Sequence, residues 1–208
     1  MELHEDSNRT GRSIVRRGAQ WRVPLLLAVL SVAAELAGTP GRQWLRYDRV
    51  AIADGELWRL LTGHLVHLNP AHLLLNLAGL ALVWLLVGHY LAPAAWAIAI
   101  VMSIACMDAA FWLLEPALRW YVGLSGLLHG LLLGGLVSGL RTAPVESAVL
   151  GLLVVMKLLY EQFAGPLPGS EVTAGGPVVV DAHLYGALGG AAAGALLIKI
   201  RAVHSTSI

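Results

Sequence analysis

With a single cysteine, Cys106, the chain of 208 residues can form no intrachain disulfide; its place in an apolar run suits a small buried hydrophobe. Charge is scarce too: acidic and basic residues make up 13% of the chain, and 14 basic against 13 acidic side chains leave a formal net charge of +1. With neither a basic field nor a basic stripe, no nucleic-acid partner is expected. No repeat with a period of roughly 20–50 residues is visible, and no low-complexity linker divides the chain. Nor does an Ala-x-Ala-like cleavage site with a soluble domain follow the first apolar stretch. The basic N-terminus, Arg9, Arg12, Arg16, Arg17 and Arg22, is therefore expected to flank a retained first span and not a cleaved signal.

What the chain has in abundance is apolar sequence. It is 57% hydrophobic, with a mean hydropathy of +0.71, which belongs to multi-span membrane proteins. Turn residues bound six apolar runs, at about 22–38, 69–88, 93–114, 124–141, 145–163 and 178–199, each near the ~20 residues that cross a bilayer. The expectation is an all-α integral membrane protein built as one six-helix bundle over 22–200, with a basic cytoplasmic segment at 1–21 and a cytoplasmic tail at 201–208. The first span is the weakest, being short and carrying Glu35 near its far end.

Six spans put both termini on one side. That side collects Arg9, Arg12, Arg16, Arg17, Arg22, Arg141, Lys199 and Arg201, whereas the basic residues opposite are partly offset by Asp48, Asp54, Glu56 and Glu115. Cytoplasmic loops carry the excess of Lys and Arg, so both termini are expected in the cytoplasm. The long first loop, about 39–68, and the starts of the fourth and sixth spans then share the extracytoplasmic half.

Those two starts carry the informative residues, Gly123-Leu124-Ser125-Gly126 and Ala182-His183-Leu184-Tyr185-Gly186. A hydroxyl and an imidazole in hydrocarbon are costly unless they pair or line a wet cavity, so they default to functional candidates. Ser125 at a loop-to-helix junction would have unpaired backbone N–H groups beside it to hold an oxyanion, and His183 at matching depth is the leading base for its proton. The plainer reading makes Ser125 a helix cap and His183 structural. Gly126, Gly130 and Gly134 in the fourth span, and Gly186 and Gly190 in the sixth, recur every four residues; such stripes let two backbones approach, the contact a Ser–His pair needs.

Other polar residues compete for roles. His129, four residues after Ser125 on the same face, could serve as a base, but it would leave little room for a substrate carbonyl; packing against His183 is expected instead. His72 and Asn76, one turn apart in the second span, could donate to an oxyanion or tie helices together. His64, His67 and His72 cluster without a His-Glu-x-x-His or Cys pairing, at spacings that do not surround one ion, so neither metal nor cofactor is expected. Asp181 lies two residues from His183, on roughly the opposite helix face, and suits a cap. Lys157 and Glu161, at i,i+4 in the fifth span, suit a mutual ion pair; alternatively Glu161 and Gln162 meet a substrate or a second nucleophile.

Taken together, Glu56-Leu57-Trp58-Arg59, His72-x-x-x-Asn76, Gly123-Leu124-Ser125-Gly126 with Gly130, and Ala182-His183-x-x-Gly186-x-x-x-Gly190 resemble the rhomboid intramembrane serine proteases. The resemblance implies a Ser125–His183 dyad without an aspartate, an oxyanion site of Ser125, His72 and Asn76, and a six-helix core whose dyad faces a water-filled extracytoplasmic cavity. Gly123, Gly126 and His129 would support the dyad, and Trp58 and Arg59 would anchor an interfacial first loop. Many rhomboids carry an aromatic residue where His129 stands.

Within that superfamily the chain looks most like the rhombosortases, through Gly63-His64-Leu65-Val66-His67-Leu68-Asn69, Gly123-Leu124-Ser125-Gly126-Leu127-Leu128-His129-Gly130 and Val179-Val180-Asp181-Ala182-His183-Leu184-Tyr185-Gly186. This implies substrates among exported bacterial proteins with a glycine-rich C-terminal motif, a membrane helix and a basic cluster, cleaved at the inner membrane. It also implies an acyl-enzyme resolved by water or by a lipid amine such as phosphatidylethanolamine. A general rhomboid protease with other single-span substrates, a non-catalytic rhomboid-like binder and a small transporter are the rival readings.

Overall fold

The structure, a computed structural model, describes residues 20–206. The basic segment expected at 1–21, with Arg9, Arg12, Arg16 and Arg17, lies outside the described residues except for its last two positions; so do the side chains of the 201–208 tail, Arg201 among them. The helices are α1 (Arg22–Leu36), α2 (Gly38–Leu45), α3 (Arg49–Ala53), α4 (Arg59–Thr62), α5 (Pro70–Val87), α6 (Pro93–Leu113), α7 (Ser125–Gly139), α8 (Pro144–Ala164), α9 (Ser170–Ala174) and α10 (Val180–Thr206). Two short strands, β1 (Tyr47–Asp48) and β2 (Trp120–Tyr121), pair antiparallel with Tyr47 opposite Tyr121.

The six apolar runs are α1, α5, α6, α7, α8 and α10; apart from α10, which continues to Thr206, their ends fall within about two residues of the sequence boundaries. Of these, α5, α6, α8 and the Val180–Ile200 part of α10 are individually long and apolar enough to cross a membrane. The first run reaches that length only together with α2, after a bend of 119° at Ala37 and Gly38, whose φ of +65° suits glycine. At 15 residues, α7 is shorter than the other interior helices.

Local chemistry sets the ends. Proline opens α5, α6 and α8, where its missing N–H costs nothing. Asn69 caps α5 by accepting the amide of His72 at 2.9 Å. The carbonyls of Phe111 and Trp112, at the close of α6, accept from the Arg49 guanidinium at 2.8 and 2.7 Å.

The centre of the bundle is the seam between α7 and α10. A methyl group built on Gly130 would stand 2.6 Å from the carbonyl oxygen of Gly186, and one on Gly134 would stand 2.7 Å from that of Gly190. Small residues here let the two backbones touch, the close approach that associates helices in lipid. Large side chains pack around the seam, with Trp96, Met107, Phe111, Leu124, Leu127 and Leu131 all fully buried.

By contrast, α8 is peripheral, and its sidedness is the reverse of a soluble amphipathic helix. Its buried residues are Ser147, Leu158 and Glu161, while Leu152, Leu159 and Phe163 face outward. In hydrocarbon the polar groups must find partners inside the protein, and this fixes the rotation of the helix about its axis.

The long first loop is more structured than the sequence reading of 39–68 implied. Arg59 is 7% exposed; its Nε donates to Glu56 at 2.6 Å, and its Nη1 to the carbonyls of Gln43 and Arg46 at 2.9 and 3.0 Å. Trp58 packs on Trp44, ring centroids 5.3 Å apart.

Candidate active site

The loop before α7 is held tightly. Gly123 has φ of +134°, its amide donates to the Gly63 carbonyl at 3.2 Å, and its own carbonyl accepts from the Tyr121 hydroxyl at 2.8 Å. Burial pushes the Tyr121 phenol up, so it stays protonated as a donor. Leu124 is the N-cap residue and no side chain caps the helix, which makes Ser125 the first helical residue and not its cap. The leading N–H groups of a helix lack intrahelical partners, and those of α7 begin at Ser125.

The Ser125 hydroxyl pairs across the seam, its Oγ lying 3.0 Å from Nε2 of His183 in the first turns of α10. The approach depends on Gly126, where a Cβ would stand 2.8 Å from the carbonyl of Ala182. On its other side, His183 Nδ1 is 2.9 Å from Oε2 of Glu161 on α8. A carboxylate only accepts, so this contact, shorter than the 3.2 Å to the Lys157 ammonium on the same nitrogen, favours the proton on Nδ1 and leaves the Nε2 lone pair to the serine. This is the tautomer a general base needs.

The structure therefore differs from a bare dyad. A carboxylate does stand behind the histidine, but Glu161 supplies it from α8, and Asp181 lies elsewhere in the first turn of α10. Glu161 also pairs with Lys157 at 2.6 Å, as the i,i+4 spacing suggested, yet it faces His183 and not a second nucleophile. The sequence carried one clue to this: two charged residues one turn apart in an otherwise apolar span.

His129 stacks on His183, with ring centroids 4.3 Å apart and planes 23° from parallel. Its Nδ1 is 2.8 Å from the Ser125 carbonyl and its Nε2 is 2.7 Å from the Lys157 ammonium. One contact requires an N–H and the other a lone pair, so His129 is neutral with its proton on Nδ1, and it has no free nitrogen for the serine.

His72 and Asn76 line the same cavity as Ser125 and His183, a space of about 510 Å³ closed on one side by Gly169, Thr173 and Val178. The Leu68 amide donates to His72 Nδ1 at 3.3 Å, which leaves the imidazole proton on Nε2. That edge lies beside Gly123 and the serine: a methyl group on Gly123 would be 3.6 Å from His72 Nε2 and 3.8 Å from Ser125 Oγ. Asn76 spends one amide N–H on the His72 carbonyl at 3.0 Å and keeps the other. Asn69 ties this helix start to α9 by donating to the Ala174 carbonyl at 2.9 Å.

Trp58 and Arg59 do not line the cavity; their contacts lie within the first loop. His64 faces Asp108 of α6 at 3.1 Å, and His67 lies edge-on to His72 with ring centroids 5.1 Å apart. Burial drives the basicity of His67 down to about 3, helped by the neighbouring His72, so it is neutral at physiological pH. A larger cavity, about 610 Å³, opens at the other end of α7 between His89, Arg141 and Glu146, and holds neither Ser125 nor His183.

No curated protein matches the chain. The family model described as Rhomboid domain matches residues 54–200, a stretch that contains Ser125, His183, His72 and Asn76 and five of the six long helices. The chain is a multi-pass, all-α membrane protein with a rhomboid-like helical bundle, and it belongs to the rhomboid family.

Proposed function

We propose that the chain is an intramembrane serine endopeptidase. The observation that carries this reading is the 3.0 Å contact of Ser125 Oγ with Nε2 of His183, in a cavity that His72 and Asn76 also line. In the first step Ser125 Oγ attacks the scissile carbonyl as His183 Nε2 takes its proton. The oxyanion accepts from the Ser125 N–H, from His72 Nε2 and from the spare N–H of Asn76. His183 then returns the proton to the leaving amine, and a nucleophile resolves the acyl-enzyme.

The substrate class follows the rhombosortase-like motifs: membrane-anchored, exported bacterial proteins ending in a glycine-rich motif, a membrane helix and a basic cluster. Glycine weakens a helix by about 1 kcal/mol per residue relative to alanine, so such a segment unwinds readily into a catalytic cavity. The protein resides in the bacterial inner membrane with both termini cytoplasmic and the cavity open to the periplasm, a placement supported by the distribution of Arg and Lys. Either water or, as in a sortase, the amine of phosphatidylethanolamine then takes the acyl group.

The test reconstitutes the full chain in phosphatidylethanolamine liposomes with a single-span reporter carrying such a tail, and weighs the product C-terminus. Cleavage that disappears in Ser125→Ala and leaves a lipid-derived mass supports the whole reading. A free carboxylate alone removes the transfer step, and cleavage of reporters without the glycine motif moves the protein to general rhomboid proteolysis. Intact cleavage by Ser125→Ala overturns the serine mechanism.

A further inference from the structure

We infer that Glu161 is the positioning residue of the catalytic histidine, and that His129 and Glu161 together hold the Lys157 ammonium off His183 Nδ1. The inference rests on the Ser125–His183 reading above and adds to it a third member drawn from the peripheral helix α8.

The argument turns on competition for one nitrogen. Nδ1 of His183 has two neighbours of opposite character, Glu161 Oε2 at 2.9 Å and Lys157 Nζ at 3.2 Å. The carboxylate can only accept a proton bond and the ammonium can only donate one. If Glu161 wins, Nδ1 keeps its proton and Nε2 is free to take the serine's. If Lys157 wins, the proton moves to Nε2, which then faces Ser125 as N–H and cannot act as base. The activity of the site therefore depends on what else occupies Lys157.

Two acceptors do. Glu161 Oε2 holds Nζ at 2.6 Å, and His129 Nε2 holds it at 2.7 Å. His129 is committed to that role, because its Nδ1 proton is engaged by the Ser125 carbonyl at 2.8 Å. Lys157 in turn neutralises a carboxylate that is 3% exposed, a group that would be strongly destabilising if left alone. When Ser125 Oγ bonds to its electrophile, its proton passes to His183 Nε2, Nδ1–H stays on Glu161, and the imidazolium forms against a carboxylate already in place. The proton then leaves with the departing group.

A fluorophosphonate probe tests this on the full-length protein in detergent without a known substrate. Ser125 Oγ forms the O–P bond, the P–F bond breaks and fluoride leaves, so kinact and KI report the base and the cavity separately. Glu161→Gln is expected to lower kinact by about 10²- to 10⁴-fold, the scale of losing the residue that sets the histidine tautomer, with KI changed less than about twofold. Glu161→Asp keeps the charge and should recover at least about tenfold of that loss. Adding Lys157→Met to Glu161→Gln removes the competing donor and should raise kinact above the single variant. In a His183→Ala background, Glu161→Gln should cost nothing more, since the pair acts as a unit.

Labelling of Glu161→Gln at the parental rate overturns the inference, as does an equal further loss in the His183→Ala background or an aspartate no better than glutamine. If Glu161→Gln does not fold, the charge-free pair Lys157→Met/Glu161→Leu decides, since it removes the carboxylate together with its buried counter-charge: a folded protein that labels at the parental rate overturns the inference. Parental labelling of Ser125→Ala points instead to failure of the serine mechanism itself.

Discussion

Gly130 of α7 and Gly186 of α10 meet so closely that a single methyl group on the first would stand 2.6 Å from the carbonyl oxygen of the second. The Ser–His contact lies along this seam, a little over one turn from Gly130 and one turn from Gly186. Gly130→Val is expected to force the helices apart, at a cost of about 1–3 kcal/mol or more, and to abolish fluorophosphonate labelling of Ser125. Thermal unfolding in detergent with in-gel labelling checks both effects; parental labelling would show that the seam does not set the distance.

Gly123 should be nearly as intolerant, for a different reason. Its φ of +134° is strained for any side chain, and a Cβ there would lie 3.3 Å from His72 Cε1. Gly123→Ala should lower reporter cleavage by at least about tenfold while leaving helix content by circular dichroism unchanged.

Asn76 offers a cleaner probe of oxyanion stabilisation, because one amide N–H remains after its bond to the His72 carbonyl. Asn76→Ala should reduce kcat by about 10²-fold with little change in KM. A rise in KM at constant kcat would place Asn76 in substrate binding instead.

Arg59 illustrates a buried charge with a structural task. Its bonds to Glu56 and to the carbonyls of Gln43 and Arg46 join α4 to the end of α2. Arg59→Met leaves those acceptors unpaired and should destabilise the protein by about 1–3 kcal/mol, the cost of part-buried acceptors left without a donor while the partly exposed Glu56 is hydrated, read as a lowered unfolding midpoint. The isolated kcat of protein that remains folded should be unchanged.

Asp48 gives the first loop an acid sensitivity. Partial burial pushes its carboxyl up, but the Arg46 guanidinium and the amides of Ala51 and Val50 more than offset this and hold it below 3.8. A carboxylate lowered on folding contributes stability that is present above its unfolded pKa and lost as pH falls through the folded one. Asp48→Ala should therefore cost about 1 kcal/mol at neutral pH, the worth of an N-cap, and the gap should narrow steadily below pH 3.8. A gap independent of pH would mean that the carboxylate charge contributes nothing.

The spans were legible because membrane crossing needs long apolar runs, and prolines at 70, 93 and 144 mark where helices begin. The α7–α10 seam was legible in the glycine spacing. The first loop was not, since α2, α3 and α4 are short and held by distant partners, including strand pairing of Tyr47 with Tyr121. Glu161 was visible as a charge, but not its target: the partner of Lys157 could be read from i,i+4 spacing, whereas the direction α8 faces depends on His129 and His183, which belong to other helices.

The shortness of α7 has a mechanical consequence. Its 15 residues rise roughly 22 Å, against a hydrocarbon layer of about 30 Å. Ser125 is the first residue of this short helix, so the placement proposed above puts the reactive hydroxyl at the bottom of a well several ångströms below the lipid headgroups. A polypeptide held as a straight rod in the bilayer keeps its carbonyls satisfied within itself and offers none to such a recess. Only a chain that has come undone near its upper rim can lower a strand to the floor, and the well becomes a sieve for how easily a visitor melts.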